Sequence, residues 1–150
     1  MKKIFLLITV LTTACSVAIA QTKTAARKPA AKPALSPLAA SIANGKKVYV
    51  KYCLSCHQAD GGGVMNMNPP LTHTAYVLGD KNRIIKLVLN GFSEGVEING
   101  NTYTNAMPSF NYLKDKEVAD VLTYVRSHFT NKATAVTAAD VAPVRALKGK

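Results

Sequence analysis

Three side chains able to hold a cofactor stand together in one short string, Cys53-Leu54-Ser55-Cys56-His57. Residues three and four apart share a helix face, so two thiols and an imidazole are presented by a single turn of chain. Such a pair of cysteines suits a disulfide, half of a zinc site, or attachment to the two vinyl groups of a porphyrin with His57 as ligand to the iron. In the last case both thioether links and the proximal ligand come from the same turn, so iron stays held even when a bond on its other face breaks.

The remaining residues discriminate among these chemistries. A closed structural zinc site needs four ligands, and beyond Cys53, Cys56 and His57 the chain after residue 20 offers only His73 and His128 and no second cysteine pair. A thioredoxin-like thiol pair needs an alternation of strands and helices that the sequence does not show. The expectation is therefore one covalent haem c. A six-coordinate iron needs a second axial ligand from far along the chain. Met107, in Asn105-Ala106-Met107-Pro108-Ser109-Phe110, supplies it best. A thioether is neutral and soft; it favours ferrous iron and raises the potential relative to a second histidine. Met107 also has a plain reading as core filler. Met65 and Met67 stand so close to His57 that the chain would have to cross the haem edge quickly, and His73 and His128 read as surface or helix-end residues.

These residues need elements to position them. Ser36-Pro37 is a plausible helix start, after which Ile42, Gly45, Tyr49 and Tyr52 recur on one helix face that ends at the first cysteine. Gly45 on that face would let another helix approach closely. The partner is the clearest helix in the chain, 115–129, with Val118, Val121, Leu122, Val125 and Phe129 on one face, Asp115 and Glu117 in the first turn, and Arg126 and His128 in the last. A third helix is expected over 81–90, with Asp80 as cap and Gly91 as stop. Asn99-Gly100 between two short apolar runs signals a tight hairpin. A core of roughly 90 residues without tryptophan is modest, and a haem would give it a large apolar body to pack around.

The ends of the 150-residue chain have a different character. Residues 1–20 begin with Lys2 and Lys3, run apolar from Ile4 to Leu11 and close on Ala18-Ile19-Ala20, the pattern of a cleaved signal peptide. Cys15 is the rival: as the lipidated first residue of a lipoprotein it would anchor the protein, although Leu11 sits one place too far upstream for a good lipobox. Residues 21–37, rich in Ala, Lys and Pro, are expected to be an extended tether. Residues 38–130 form the expected folded domain, and 131–150 a flexible C-terminal tail. The net charge of +11 is concentrated at the ends, because between residues 38 and 130 nine Lys or Arg stand against seven Asp or Glu. No basic groove is implied, and nucleic acid is not an expected partner.

In order along the chain, Gly45 and Tyr49 precede Cys53 to His57, Gly61-Gly62-Gly63 and Pro69-Pro70-Leu71 follow, and Met107-Pro108 and Tyr124 complete the set. From Ile42 to Phe129 this set resembles class I cytochrome c, in particular the small bacterial single-haem domains. The resemblance implies an all-α, cytochrome c-like fold of three to four short helices around one covalently bound haem, with a small hairpin in the long loop before the axial Met. It implies that the first and last helices cross at nearly a right angle, with Gly45 facing Val121 and Tyr124. It also implies that the carbonyl of Pro70 accepts a hydrogen bond from the free ring nitrogen of His57, fixing its tautomer. The segment from Asp80 to Asn105 is more variable in the family, so no haem-propionate contacts are carried onto it.

The function expected is the transfer of single electrons in an exported, periplasmic setting, without catalysis by this chain. A terminal oxidase, a reductase or an exported dehydrogenase would serve as redox partner, with Lys46, Lys47 and Lys51 as a docking rim for an acidic surface. The rival is a haem c sensor or peroxidase-like protein with an open sixth position, for which no distal Arg or His is placed.

Overall fold

The computed structural model describes residues 35–147. The expected signal peptide, Cys15 and all but the end of the expected tether lie outside the described residues. Helix α1 spans Pro37–Tyr52, with Ser36 as N-cap accepting from the Ala39 N–H and Pro37 in the first position, as its residue types dictate. A single helical turn, α2 (Leu54–His57), follows directly. Two further helices come after a long loop: α3 (Ala75–Leu78), capped by Thr74, and α4 (Lys81–Asn90), capped by the Asp80 carboxylate and stopped by Gly91 at a left-handed φ of 76°. The turn α3 carries no periodicity and was not foreseen.

The hairpin forms where Asn99-Gly100 calls for it. Strands β1 (Val96–Ile98) and β2 (Asn101–Tyr103) pair antiparallel with Val96 opposite Tyr103. Both turn residues have positive φ, at 53° and 77°, as a two-residue turn that follows the strand twist requires. Helix α5 (Asp115–Ser127) then enters with the Glu117 carboxylate accepting from the Lys114 N–H.

Helices α1 and α5 form the largest contact between elements, and Gly45 makes it possible. A Cβ at Gly45 would collide with the main-chain carbonyl oxygen of Asp120 and come within 2.8 Å of the Tyr124 Cβ. The nearest neighbours of Gly45 are thus Asp120 and Tyr124, whereas Val121, expected to face it, lines a cleft instead. Tyr49, 1% exposed, packs beside them with its ring centroid 5.4 Å from Tyr124 and 5.2 Å from Phe129. Its hydroxyl donates to the Gln58 carbonyl at 2.6 Å, so burial of the phenol leaves no orphan proton.

The segment after residue 130 departs from expectation. Instead of a flexible tail it forms α6 (Ala138–Ala146), which packs on α4 and α5. Thr137 and Asp140 make a reciprocal capping box at its start. Val136 and Val141 are buried at 3% and 0% exposure, which explains why the segment is held: sequestering two such side chains contributes about 1.5–3 kcal/mol each. No helix among the described residues is long and apolar enough to cross a membrane.

Candidate functional site

A cleft among the described residues is lined by both cysteines, His57, Met107, and by Ile84, Leu87, Val88, Phe92, Phe110, Leu113, Val121, Leu122 and Val125. Its walls are overwhelmingly apolar, and helices α1, α4 and α5 each contribute to them.

The proximal side is built by the turn α2. The His57 N–H donates to the Cys53 carbonyl at 2.9 Å, so the three side chains of the motif issue from a closed helical turn. Among the described residues Cys53 and Cys56 are free thiols, Cys53 half-buried and Cys56 exposed. Burial, reinforced by Cys56, pushes the Cys53 thiol up to about 11. His57 is shifted the other way: burial lowers its basicity, opposed by its hydrogen bond to Pro69. A neutral imidazole is the form that binds metal.

The chain after His57 folds back to hold that imidazole. Gly63 donates to the His57 carbonyl at 3.2 Å and Leu71 to the Gly61 carbonyl at 2.7 Å, which lays residues 61–71 across the ring. The His57 Nδ1–H donates to the Pro69 carbonyl at 3.0 Å, which leaves Nε2 as the unprotonated ring nitrogen, able to bind a metal. Pro70, expected to provide that carbonyl, lines the cleft instead. Carbonyls of successive residues point in different directions, so only one of the pair can face His57, and the Leu71–Gly61 bond sets the register that selects Pro69.

Met107 reaches the same cleft from a separate segment of chain. It exchanges both main-chain hydrogen bonds with Phe92, at 2.7 and 2.9 Å, closing the hairpin-bearing loop onto the end of α4. Asn105 then ties this loop to the proximal one, its N–H donating to the Met67 carbonyl at 3.0 Å and its amide to the Asn68 side chain at 3.1 Å. Met65 and Met67 are 63% and 48% exposed and do not line the cleft. His73 contacts Thr130, and His128 lies against Tyr124 and Ser127; neither reaches the cleft.

Two residues whose roles sequence reasoning missed support the walls. Asn131, 3% exposed, donates its amide to the carbonyls of Leu71 and Val125 and accepts from the His73 N–H. Arg126, also 3% exposed, donates to the carbonyls of Val77, Gly79 and Thr134. Arg126 is marked in the sequence only as a basic residue of the last turn of α5, and Asn131 lies past the helix end, where neither periodicity nor a motif marks it. A buried, fully partnered amide or guanidinium is recognisable only once its distant acceptors are known.

The residues present fit a haem. Two free thiols, an imidazole and a thioether line one cleft together with apolar side chains, while among the described residues no group of three or more His, Cys, Asp or Glu side chains is arranged to hold a bare metal ion. Residues 42–129 match the family model described as Cytochrome c. Among similar proteins, cytochrome c-552 of Thermus thermophilus is 38% identical over 92 residues, covering 59% of this chain and 62% of that one. The cytochrome c subunit of a quinone alcohol dehydrogenase from Gluconacetobacter polyoxogenes is 36% identical over 106 residues, or 67% of this chain and 22% of that one. Cytochrome c6 of Thermosynechococcus vestitus is 35% identical over 92 residues, or 59% of this chain and 70% of that one. This chain thus spans under two thirds of the Thermus protein and about a fifth of the dehydrogenase subunit. With the attachment motif, the clefted all-helical core and the family match in agreement, the chain belongs to the cytochrome c family, whose cofactor is covalently bound haem c.

Proposed function

We propose that the protein is an exported single-haem electron carrier, with Cys53 and Cys56 as the thioether residues, His57 and Met107 as the axial ligands, and a redox protein on either side of it in a dehydrogenase or respiratory chain. The observation that supports this reading is that His57 and Met107, fifty residues apart, line one and the same apolar cleft, each on a segment bonded to the rest of the core. The bound group supplies one-electron chemistry between ferric and ferrous iron. The chain supplies rigidity: the Pro69 carbonyl fixes the imidazole, Phe92 fixes the loop of Met107, and the apolar walls exclude water. Little movement of the ligands is then needed between oxidation states.

Partner recognition rests on the surface. Lys46, Lys47 and Lys51 are exposed along α1, and Lys51 lies over the ring of Tyr52, a residue of the cleft wall. This row would meet an acidic partner near the site. The relatives that are cytochrome subunits of dehydrogenases favour such an enzyme as donor. The pattern of residues 1–20 supports export with removal of that segment, and mass spectrometry of the mature protein should then find Gln21 as its first residue; a diacylated Cys15 would make it a lipoprotein.

The test of carrier against open-site sensor is spectroscopic. The ferric holoprotein should show the weak sulfur-to-iron charge-transfer band at the red end of the visible spectrum, and the ferrous form should bind carbon monoxide slowly. Fast carbon monoxide binding with no such band would replace the carrier reading by the sensor or peroxidase.

A further inference from the structure

The chain past residue 129, outside the family match, returns to the loop that carries Met107. That loop is held in two different ways. Its first half is fixed from within the core: Met107 pairs with Phe92, the Ser109 hydroxyl donates to the Leu89 carbonyl at 2.6 Å, and the Phe110 N–H donates to the Val88 carbonyl at 2.9 Å. The second half, residues 111–114, packs through Leu113 in the core and through Tyr112 against Tyr52, but its hydrogen bonds go only to near neighbours in sequence, such as Leu113 N–H to the Phe110 carbonyl at 3.0 Å, apart from one external donor.

That donor is Arg145 on α6. Its Nη1 donates to the Asn111 carbonyl at 2.7 Å, its Nη2 to the Leu113 carbonyl at 2.7 Å and its Nε to the Asp115 carboxylate at 2.5 Å. The planar fork of a guanidinium makes these three bonds together, which a lysine cannot do. Arg145 is about 70% covered, its side chain 29% exposed. The helix that presents it is itself anchored, by Val141 at 0% exposure and by the Lys81–Asp140 pair at 3.1 Å on α4. Leu113, the residue whose carbonyl Arg145 grips, is 4% exposed and lines the cleft alongside Met107.

We propose that Arg145 is a positioning residue for Met107: α6 is an outer clasp whose guanidinium keeps the Met107-bearing loop shut and so sets how often the sixth position opens. This rests on the reading of Met107 as sixth ligand. To swing the thioether out, residues 107–114 must lift from the cleft, and doing so breaks charged hydrogen bonds to two carbonyls that no inner contact replaces. The clasp favours electron transfer over ligand binding at the same iron.

The test is the rate of carbon monoxide binding to the ferrous holoprotein, measured beside thermal loss of the ferric charge-transfer band and of the helical signal. Arg145→Met should bind carbon monoxide about tenfold faster than wild type, the effect of one lost hydrogen bond from a charged donor, and should lose the band at a lower temperature than its helices. Arg145→Lys, which keeps the charge beside Asp115 but not the fork, should also bind faster and carries the test if the first variant does not fold. Asp115→Asn, which leaves both carbonyl bonds, should stay near the wild-type rate. If both Arg145 variants bind at the wild-type rate while Met107→Ala binds fast, the clasp is overturned and the ligand stands. Loss of band and helices together at a lowered temperature, with an unchanged rate, would equally reduce Arg145 to a structural contact and overturn the proposal. If Met107→Ala itself binds no faster than wild type, the ligand assignment fails, and the clasp with it.

Discussion

Gly45 on α1 rests directly against the main-chain carbonyl of Asp120 on α5. The helices that frame the cleft are therefore as close as their backbones permit, and any side chain at position 45 must push them apart. The obstacle is backbone, which cannot escape by changing rotamer. Gly45→Ala should destabilise the holoprotein by about 3 kcal/mol, the upper part of the range for overpacking. Denaturant unfolding followed by circular dichroism measures it, and a loss below about 1 kcal/mol would mean the helices slide freely.

Gly63 has a similar role at the proximal loop. Its φ of 69° is left-handed, and a Cβ there would fall 2.7 Å from the Pro69 carbonyl oxygen. Gly63→Ala should displace that carbonyl from the His57 Nδ1–H. A weaker acceptor makes the imidazole a poorer donor to iron, which disfavours the ferric state and raises the reduction potential. A change of about 1 kcal/mol corresponds to about 45 mV for one electron. Voltammetry of the variant decides it; an unchanged or lowered potential would contradict the role given to the Pro69 carbonyl.

The three methionines of the folded region separate cleanly. Met107→Ala should abolish the ferric charge-transfer band, lower the potential because water or hydroxide suits ferric iron better than the lost thioether, and admit carbon monoxide. Met65→Ala and Met67→Ala, at exposed positions outside the cleft, should do none of these. A band that survives Met107→Ala and vanishes in one of the others would move the ligand.

Asn131 joins three segments through one amide, holding Leu71 and His73 of the proximal loop to the end of α5. Asn131→Ala leaves the half-buried Leu71 carbonyl, the buried Val125 carbonyl and the His73 N–H without that partner. The expected cost is about 2–4 kcal/mol of stability. Hydrogen exchange should show faster opening at residues 71–73 than in wild type.

Acid should act on α6 in a definite direction. Hydrogen bonding from the Thr137 backbone N–H, opposed by burial and aided by Lys81 and the Thr137 hydroxyl, holds the Asp140 carboxyl below its ordinary 3.8. Its folded value is the lower one, so its contribution is complete above the unfolded value and lost as pH falls through the folded one. Protonation of Asp140 ends the pair with Lys81. Asp140→Asn should therefore narrow the stability difference between neutral pH and about pH 3. Because the pair is partly exposed, the effect is small and shrinks with salt.

Much of the fold is legible in short-range chemistry. Ser36-Pro37 starts α1, Asp80 and Gly91 bound α4, the apolar spacing of 118–125 marks the buried face of α5, and Asn99-Gly100 turns the hairpin. Each signal acts within one or two turns of chain, where residue type alone fixes the local energy. α6 escaped because its apolar residues are few, Pro143 interrupts it and alanine gives it the look of a tether, although Thr137-x-x-Asp140 was a readable start.

The attachment turn shows where the division falls. Cys53, Cys56 and His57 are determined by sequence alone, because a helical turn brings residues three and four apart together whatever surrounds it. Tertiary structure chose Pro69 over Pro70, brought Met107 into the cleft that His57 lines, and placed Asn131 and Arg145 behind the loops they hold. Those choices depend on the direction of single carbonyls and on contacts between segments tens of residues apart. Such contacts form only when distant parts of the chain bury apolar surface against each other, and no local spacing encodes them.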